Sequence, residues 1–481
     1  MASAVLWFRR DLRLDDLPAL DTASSVGADG VVPLFVVDPA VLDPAGPNRR
    51  RFLAEALRAL DRELGGTLVL RRGDPRLVVP ALAAEVGAGS VASTADFGPY
   101  GAARDRTVGE ALSAAGRRLV TVDSPYVVAP GKVRGSSGAP LRVFTPFRRA
   151  WEVVGWERPL PAPEVRFVGA PSDTTIDDIE AGVAAPSLEG LSAWWEGLPL
   201  GVAEHLPTAG SSAAMSRLEQ FVAGPLSEYE DDRDRPGIAG TSGLSPYLRF
   251  GCIHPRTVLM QLGTSAGADR MREELAWREF YADVMWHRPE SARRPLQAFG
   301  AHLQWDVDAQ ARKRFREWAT GRTGYPLVDA GMRQLLTEGW MHNRVRMITA
   351  SFLVKDLHID WRLGARWFMW HLVDGDLASN QHGWQWVAGT GTDAAPFHRV
   401  FNPGVQQERF DPDGSYVRRY LGEPLPAPPR ESGLWTAQSG YPEPIVDHQV
   451  ERREALRRFD VARKAAAAET IPQNTVPNTG E

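Results

Sequence analysis

The residues best suited to chemistry lie between positions 241 and 386. They combine hydroxyls, guanidinium groups, carboxylates and indoles, with no paired nucleophile and base. Glu274, Trp277, Arg278 and Tyr281 recur at i, i+3, i+4 and i+7, which puts an acid, an indole, a guanidinium and a phenol on one helical face. A packed face would carry aliphatic side chains there, and a solvated face would rarely carry Trp. The mixture reads as the wall of a polar, aromatic pocket. Asn343 and Met347, four apart, share a second face, and Arg346 sits one residue off it, within reach of an acid; His342 reads as a satisfied core histidine. Asp374, Asp376 and Asn380 follow a helical stretch and precede Gly383-Trp384-Gln385-Trp386. In Thr241-Ser242-Gly243-Leu244-Ser245-Pro246, Ser245 is expected as an N-cap and Pro246 as the first helical residue. Such a turn can cradle a phosphate, but an ordinary capped helix start is the commoner meaning of the pattern. The string Gly389-x-Gly391-x-x-Ala394 has no strand before it and reads as chance. No His-Glu-x-x-His, paired-cysteine or Ser/His/Asp arrangement stands out. A pocket of this kind suits a bulky, planar, phosphate-bearing cofactor.

Apolar runs at 5–8, 31–37, 68–70, 90–94 and 119–122 read as strands, and 51–64, 76–86 and 103–115 as helices between them. The alternation predicts an α/β domain over 1–125, a Rossmann-like parallel sheet covered on both faces. The first strand runs into Arg9-Arg10-Asp11-Leu12-Arg13, so the glycine fingerprint of a dinucleotide site is missing. Residues 126–205, rich in Pro, Gly, Ser and Ala, are expected to form a long surface linker with few periodic segments. Residues 206–460 are expected to be all-α, with helices over 271–288, 328–338, 340–354 and 361–373. Residues 461–481 read as a disordered tail.

A chain of 481 residues exceeds the usual size of one core, so two or more domains are expected. No apolar run reaches bilayer length and no secretory signal is visible, which points to a cytoplasmic protein without membrane contact. The single cysteine, Cys252, excludes an internal disulfide and any multi-cysteine metal site. Lys+Arg 55 against Asp+Glu 60 does not announce a nucleic-acid binder. Between 271 and 420, however, 20 basic and 18 acidic residues leave +2, a surface for phosphates or simply for solvent. Ten of the 16 tryptophans lie between Trp277 and Trp386, several beside Arg, Asn or Asp, which core filling explains poorly.

Several long motifs, in order, resemble the photolyase/cryptochrome family. They are Val5-Leu6-Trp7-Phe8-Arg9-Arg10-Asp11-Leu12-Arg13-Leu14-Asp15-Asp16, the 241–246 turn, Trp277-Arg278-Glu279-Phe280-Tyr281, Thr323-Gly324-Tyr325-Pro326, Gly339-Trp340-Met341-His342-Asn343-Arg344, and the stretch from Asp374 through Trp386. The resemblance covers roughly residues 3 to 460. It implies FAD, active in its reduced anionic form, inside the helical domain. Tyr229, Thr241, Ser242, Leu244, Ser245, Trp277, Arg278, Asn343, Arg346, Asp374, Asp376 and Asn380 would line that site, with Arg346 and Asp374 as an ion pair and Asn380 near the flavin's redox-active nitrogen. The reaction it implies is light-driven splitting of cyclobutane pyrimidine dimers in UV-damaged DNA by an electron from the flavin. Glu274, Asn343 and Asn380 would be catalytic. Arg233, Glu274, Trp277, Asn343, Arg344, Met347 and Trp386 would meet DNA, and Trp384, Trp361 and Trp305 would relay electrons.

Subtype follows from single positions. Asn343 and Met347 stand where (6-4)-repairing relatives place His, and Asn380 where plant cryptochromes place Asp. These point to a class I cyclobutane-dimer enzyme, expected to be a monomer. The alternatives are a blue-light receptor that keeps FAD without repair, and a dark flavoprotein. Gln381-His382 departs from the Asn-Gly of many relatives. For a second, light-harvesting pigment, Phe35, Arg51, Asp96 and Arg249 resemble deazaflavin-binding positions, while the 288–294 loop lacks the Cys-Lys pair of folate-type members. 8-Hydroxy-5-deazaflavin is therefore expected over methenyltetrahydrofolate.

Overall fold

The computed structural model describes residues 3–181, 191–393, 399–422 and 441–470. Five strands, β1 (Ala4–Phe8), β2 (Val31–Val37), β3 (Val69–Arg72), β4 (Ser90–Thr94) and β5 (Arg118–Val122), form one parallel sheet in the order β3-β2-β1-β4-β5. β1, β2 and β4 are buried throughout, as parallel strands covered on both faces must be. The covering helices are α1 (Pro18–Val26), α2 (Pro47–Glu63), α3 (Pro75–Glu85) and α4 (Pro99–Ala114). Each begins with a proline, whose missing N–H costs nothing in the first turn. The α/β reading of this half holds. α1 was not expected, because it packs through Ala19, Leu20 and Ala23 only, too small a stripe to read as periodic.

The 126–205 segment is more structured than its composition suggested. It carries α5 (Phe144–Val154), whose Phe144, Phe147 and Trp151 are all buried, and short helices at Ile176–Ala181 and Ser192–Trp195. Its Phe167 adds a parallel bridge to Val31.

The helical half is built from α6 (Ser245–Phe250), α7 (Ala266–His287), α8 (Pro326–Glu338), α9 (Asn343–Ser351), α10 (Trp361–His371), α11 (Leu377–Ala388) and α12 (His448–Thr470), with shorter helices between them. The expected 340–354 helix starts later, at Asn343, and passes into a π-helical turn at Phe352–Asp356. Gly389 is the left-handed C-cap of α11, which agrees with reading the glycine string as chance; Ala394 lies outside the described residues. The tail reading is corrected: 461–470 continue α12, because Ala462 is fully buried beside Ala455 and Leu303 and the alanine run favours helix. Residues 471–481 lie outside the described residues.

The halves are fastened along the carboxyl edge of the sheet. Asn48 on α2 donates to the His371 carbonyl at 2.5 Å, and Arg256 bridges Asp16 and Asp123, both at 2.7 Å. Gly251, with φ +67°, lies so close to the Arg10 carbonyl that a Cβ would sit 2.0 Å from it. This seam carries the end of β1 to the edge of the helical cavity.

Candidate active site

α7, α9, α11 and the 241–245 turn line one cavity of about 560 Å³. It gathers Tyr229, Thr241, Ser242, Leu244, Ser245, Trp277, Arg278, Asn343, Arg346, Asp374, Asp376 and Asn380, the whole expected cofactor set. It also gathers Arg233, Glu274, Arg344, Met347 and Trp386, so the expected cofactor and substrate residues share one space.

Three charged groupings organise it. Arg346 pairs with Asp374 through both guanidinium nitrogens, at 2.8 and 3.2 Å, and Ser245 Oγ donates to the same carboxylate at 2.6 Å. Trp340 Nε1 in turn donates to Ser245 Oγ at 3.2 Å. This corrects the N-cap reading. Ser245 is the first residue of α6, not its cap, because its hydroxyl is spent on Asp374; Leu244 caps without a side-chain bond. Asp376 caps α11 through Ser379 N and pairs with Arg10 at 2.7 Å. Burial alone would raise the Asp376 pKa, but Arg10, Arg249 and Arg278 outweigh it and hold the carboxylate far below its usual range. Glu274 pairs with Arg233 at 2.8 Å. There burial wins, and the carboxyl stays protonated to higher pH than an exposed Glu despite Arg233 and Arg270.

The aromatic wall is held from behind. Phe144 of α5 stacks on Trp277 with centroids 3.6 Å apart and planes 8° from parallel. Arg344 pairs with Asp234 at 2.5 Å and lies over Phe410. His342 is buried, and its Nδ1 accepts from Arg344 N; burial pushes its pKa down to about 4, so it is neutral and structural. The three tryptophans expected to relay electrons differ in exposure. Trp384 is buried and lines the cavity, Trp361 is buried, and Trp305 is partly buried beside α12. Gly364 of α10 makes room for the Trp384 ring: a Cβ there would meet it at 2.1 Å.

The four expected antenna residues are not gathered in the same way. Asp96 belongs to a charged cluster with Arg104, at 3.1 Å, and with Arg9 and Arg10. Arg249 lines the helical cavity and donates to the Gly375 carbonyl at 2.9 Å. Phe35 is buried in the core. Arg51 is half exposed and pairs with Glu180 at 3.7 Å.

A partly buried acid beside a stacked indole and a bidentate Arg–Asp pair thus share one hydroxyl-edged cavity. Residues 4–164 match the family model described as DNA photolyase, and residues 271–461 the one described as FAD binding domain of DNA photolyase. The chain belongs to the DNA photolyase family. It is 41% identical to the deoxyribodipyrimidine photo-lyase of Streptomyces griseus, over 96% of this chain and 99% of that one. It is 39% identical to the enzyme of that name from Halobacterium salinarum, over 95% and 99%. A class III photolyase structure from Agrobacterium tumefaciens superposes with a TM-score of 0.84 at 35% identity, over 96% and 98% of the two chains.

The donor set fits FAD. The hydroxyl turn is backed by Arg217, which holds the Ser242 and Thr241 carbonyls at 2.7 and 2.8 Å. Cationic Arg278 and Arg346 stand elsewhere on the wall, and the buried Trp384 Nε1 has no hydrogen-bond partner among the described residues. Sequence reasoning missed Arg10, Arg217, Phe144 and Trp340 as organisers of the site. Only Phe144 carried a local signal, through its spacing to Phe147 and Trp151; the others act across folds of the chain.

Proposed function

We propose that this chain repairs cyclobutane pyrimidine dimers in UV-damaged DNA, under light, with reduced anionic FAD in the helical cavity. The observation that carries the reading is the single cavity: the residues for cofactor and for dimer line the same walls. Ser242, Ser245, Arg278, Arg346 and Asp374 would hold FAD, which would supply the photoexcited electron. The remaining work belongs to the chain. Trp277, fixed from behind by Phe144, and Trp386 offer flat faces to a dimer that has left the duplex stack. Glu274, paired with Arg233 and with its pKa raised by desolvation, is placed to hydrogen-bond a dimer carbonyl as that oxygen gains negative charge. Asn343 and Met347 complete the dimer wall, and Arg233 and Arg344 meet the DNA backbone. Trp384, Trp361 and Trp305 relay electrons inward from the surface to restore the reduced cofactor.

The protein is proposed to act as a cytoplasmic monomer, to be checked by size-exclusion chromatography. Within the family we favour class I, with the class III structure as the competing relative. The antenna is proposed to be 8-hydroxy-5-deazaflavin, supported by the charged Arg10–Asp96–Arg249 neighbourhood at the seam. The function is tested by mixing the reduced holoenzyme with an oligonucleotide carrying one thymine dimer. Blue light should restore intact thymines and darkness should not; equal conversion in both, or none in either, refutes it.

A further inference from the structure

Gln381 stands beside Asn380 on α11, and the two carboxamides form a chain whose polarity is fixed at both ends. Gln381 Nε2 donates to the Ala292 carbonyl at 2.6 Å, and Gln381 Oε1 accepts from Asn380 Nδ2 at 2.9 Å. The same Nδ2 donates to the Ala365 carbonyl of α10 at 3.0 Å. A carbonyl can only accept. The Ala292 oxygen therefore requires the amino end of Gln381, which turns Oε1 to Asn380. The Ala365 oxygen likewise requires the amino end of Asn380. Both side-chain N–H bonds of Asn380 are spent inside the protein. Its Oδ1 takes no hydrogen bond from any described residue, and Asn380 lines the cavity. His382 pins the same turn of α11 by a 3.0 Å bond to Ser291, so the backbone carrying the pair is held as well.

We infer that Gln381 is a positioning residue that fixes Asn380 as a hydrogen-bond acceptor toward the cavity ligand. The inference rests on the reading of this cavity as the FAD site with Asn380 at the redox-active nitrogen. An inward oxygen matches a ring N–H and opposes a ring nitrogen lone pair. The site therefore favours reduced flavin, whose nitrogen carries hydrogen, over oxidised flavin. The residue pair that departs from the family pattern thus sets the polarity of the site.

The test is a double-mutant cycle read as the reduction potential of bound FAD, with FAD content and far-UV circular dichroism confirming the fold. Gln381→Met keeps chain length and removes both amide contacts; Gln381→Leu serves if that variant folds poorly. Gln381→Met should shift the ratio of reduced to oxidised affinity by about tenfold toward oxidised FAD, a potential about 30 mV lower for a two-electron couple. In an Asn380→Leu background the same change should move nothing, because Gln381 acts through Asn380. An equal shift in both backgrounds, or none in either, overturns the positioning role. If Asn380→Leu alone leaves the potential unchanged, Asn380 does not face the flavin, and it is the reading of the cavity that fails.

Discussion

The cavity in the helical half and Arg51 on α2 of the sheet half, one of the expected antenna positions, differ in how far the protein has already arranged them. In the cavity nearly every functional side chain has a protein partner that fixes its direction. Arg346 is held by Asp374, Asp374 by Ser245, Glu274 by Arg233 and Trp277 by Phe144. On α2, Arg51 is half exposed and its pairing with Glu180 is long. Electron transfer to a dimer demands fixed placement, so binding energy is committed in advance there. Arg51 carries no such constraint and stays adaptable.

The largest effect should come from breaking the fixed end. Arg346→Leu leaves Asp374, almost fully buried, without its cation, a loss that approaches about 3 kcal/mol, the lower end for breaking a buried pair, since Arg346 is itself only partly buried. FAD content after purification should fall at least tenfold, and the thermal midpoint should drop. Retained stoichiometric FAD would show that the cavity does not depend on this pair.

Next is Glu279, which fastens the linker to α7 by accepting from Val127 N, Val128 N and Trp151 Nε1. Burial raises its pKa from 4.5 to about 7 in spite of those donors. A raised folded pKa means a contribution fully present below about pH 4.5 and lost as pH rises through 7, on the order of 3 kcal/mol. Urea unfolding at pH 5 and pH 8 should therefore show a smaller pH difference in Glu279→Gln than in wild type, although that variant is less stable at both. An unchanged difference would assign the titration to other groups.

Trp277→Ala should lose roughly 1–3 kcal/mol of affinity for dimer-containing DNA while affinity for undamaged DNA hardly changes, as read by fluorescence anisotropy at fixed salt. The smallest effect belongs to the adaptable end. Arg51→Ala should leave stability within about 0.5 kcal/mol, since exposed pairs contribute little, yet lower the retention of added 8-hydroxy-5-deazaflavin. A large stability loss would erase the contrast between the two regions.

The same contrast explains what could be read from sequence. Trp277, Arg278 and Glu274 were legible because one helical turn sets their mutual geometry before any tertiary contact forms. β1 and β2 were legible because burial on both faces leaves continuous apolar runs. Arg10 was hidden, since its partner Asp376 is 366 residues away and neither side chain alone predicts the other. Ser245 was legible as a helix start but not as a donor to Asp374, because local capping rules are silent about a carboxylate arriving from the α10–α11 connection. The α5 helix was obscured by the Pro, Gly and Ser around it.

The central claim is that one preorganised cavity holds FAD and presents the dimer to Glu274 and Trp277. The most direct measurement is the light-dependent repair yield of Glu274→Ala loaded with chemically reduced FAD. The account predicts FAD content equal to wild type and a clearly lower yield per absorbed photon. A normal yield with full FAD content would contradict it and move the dimer to another surface.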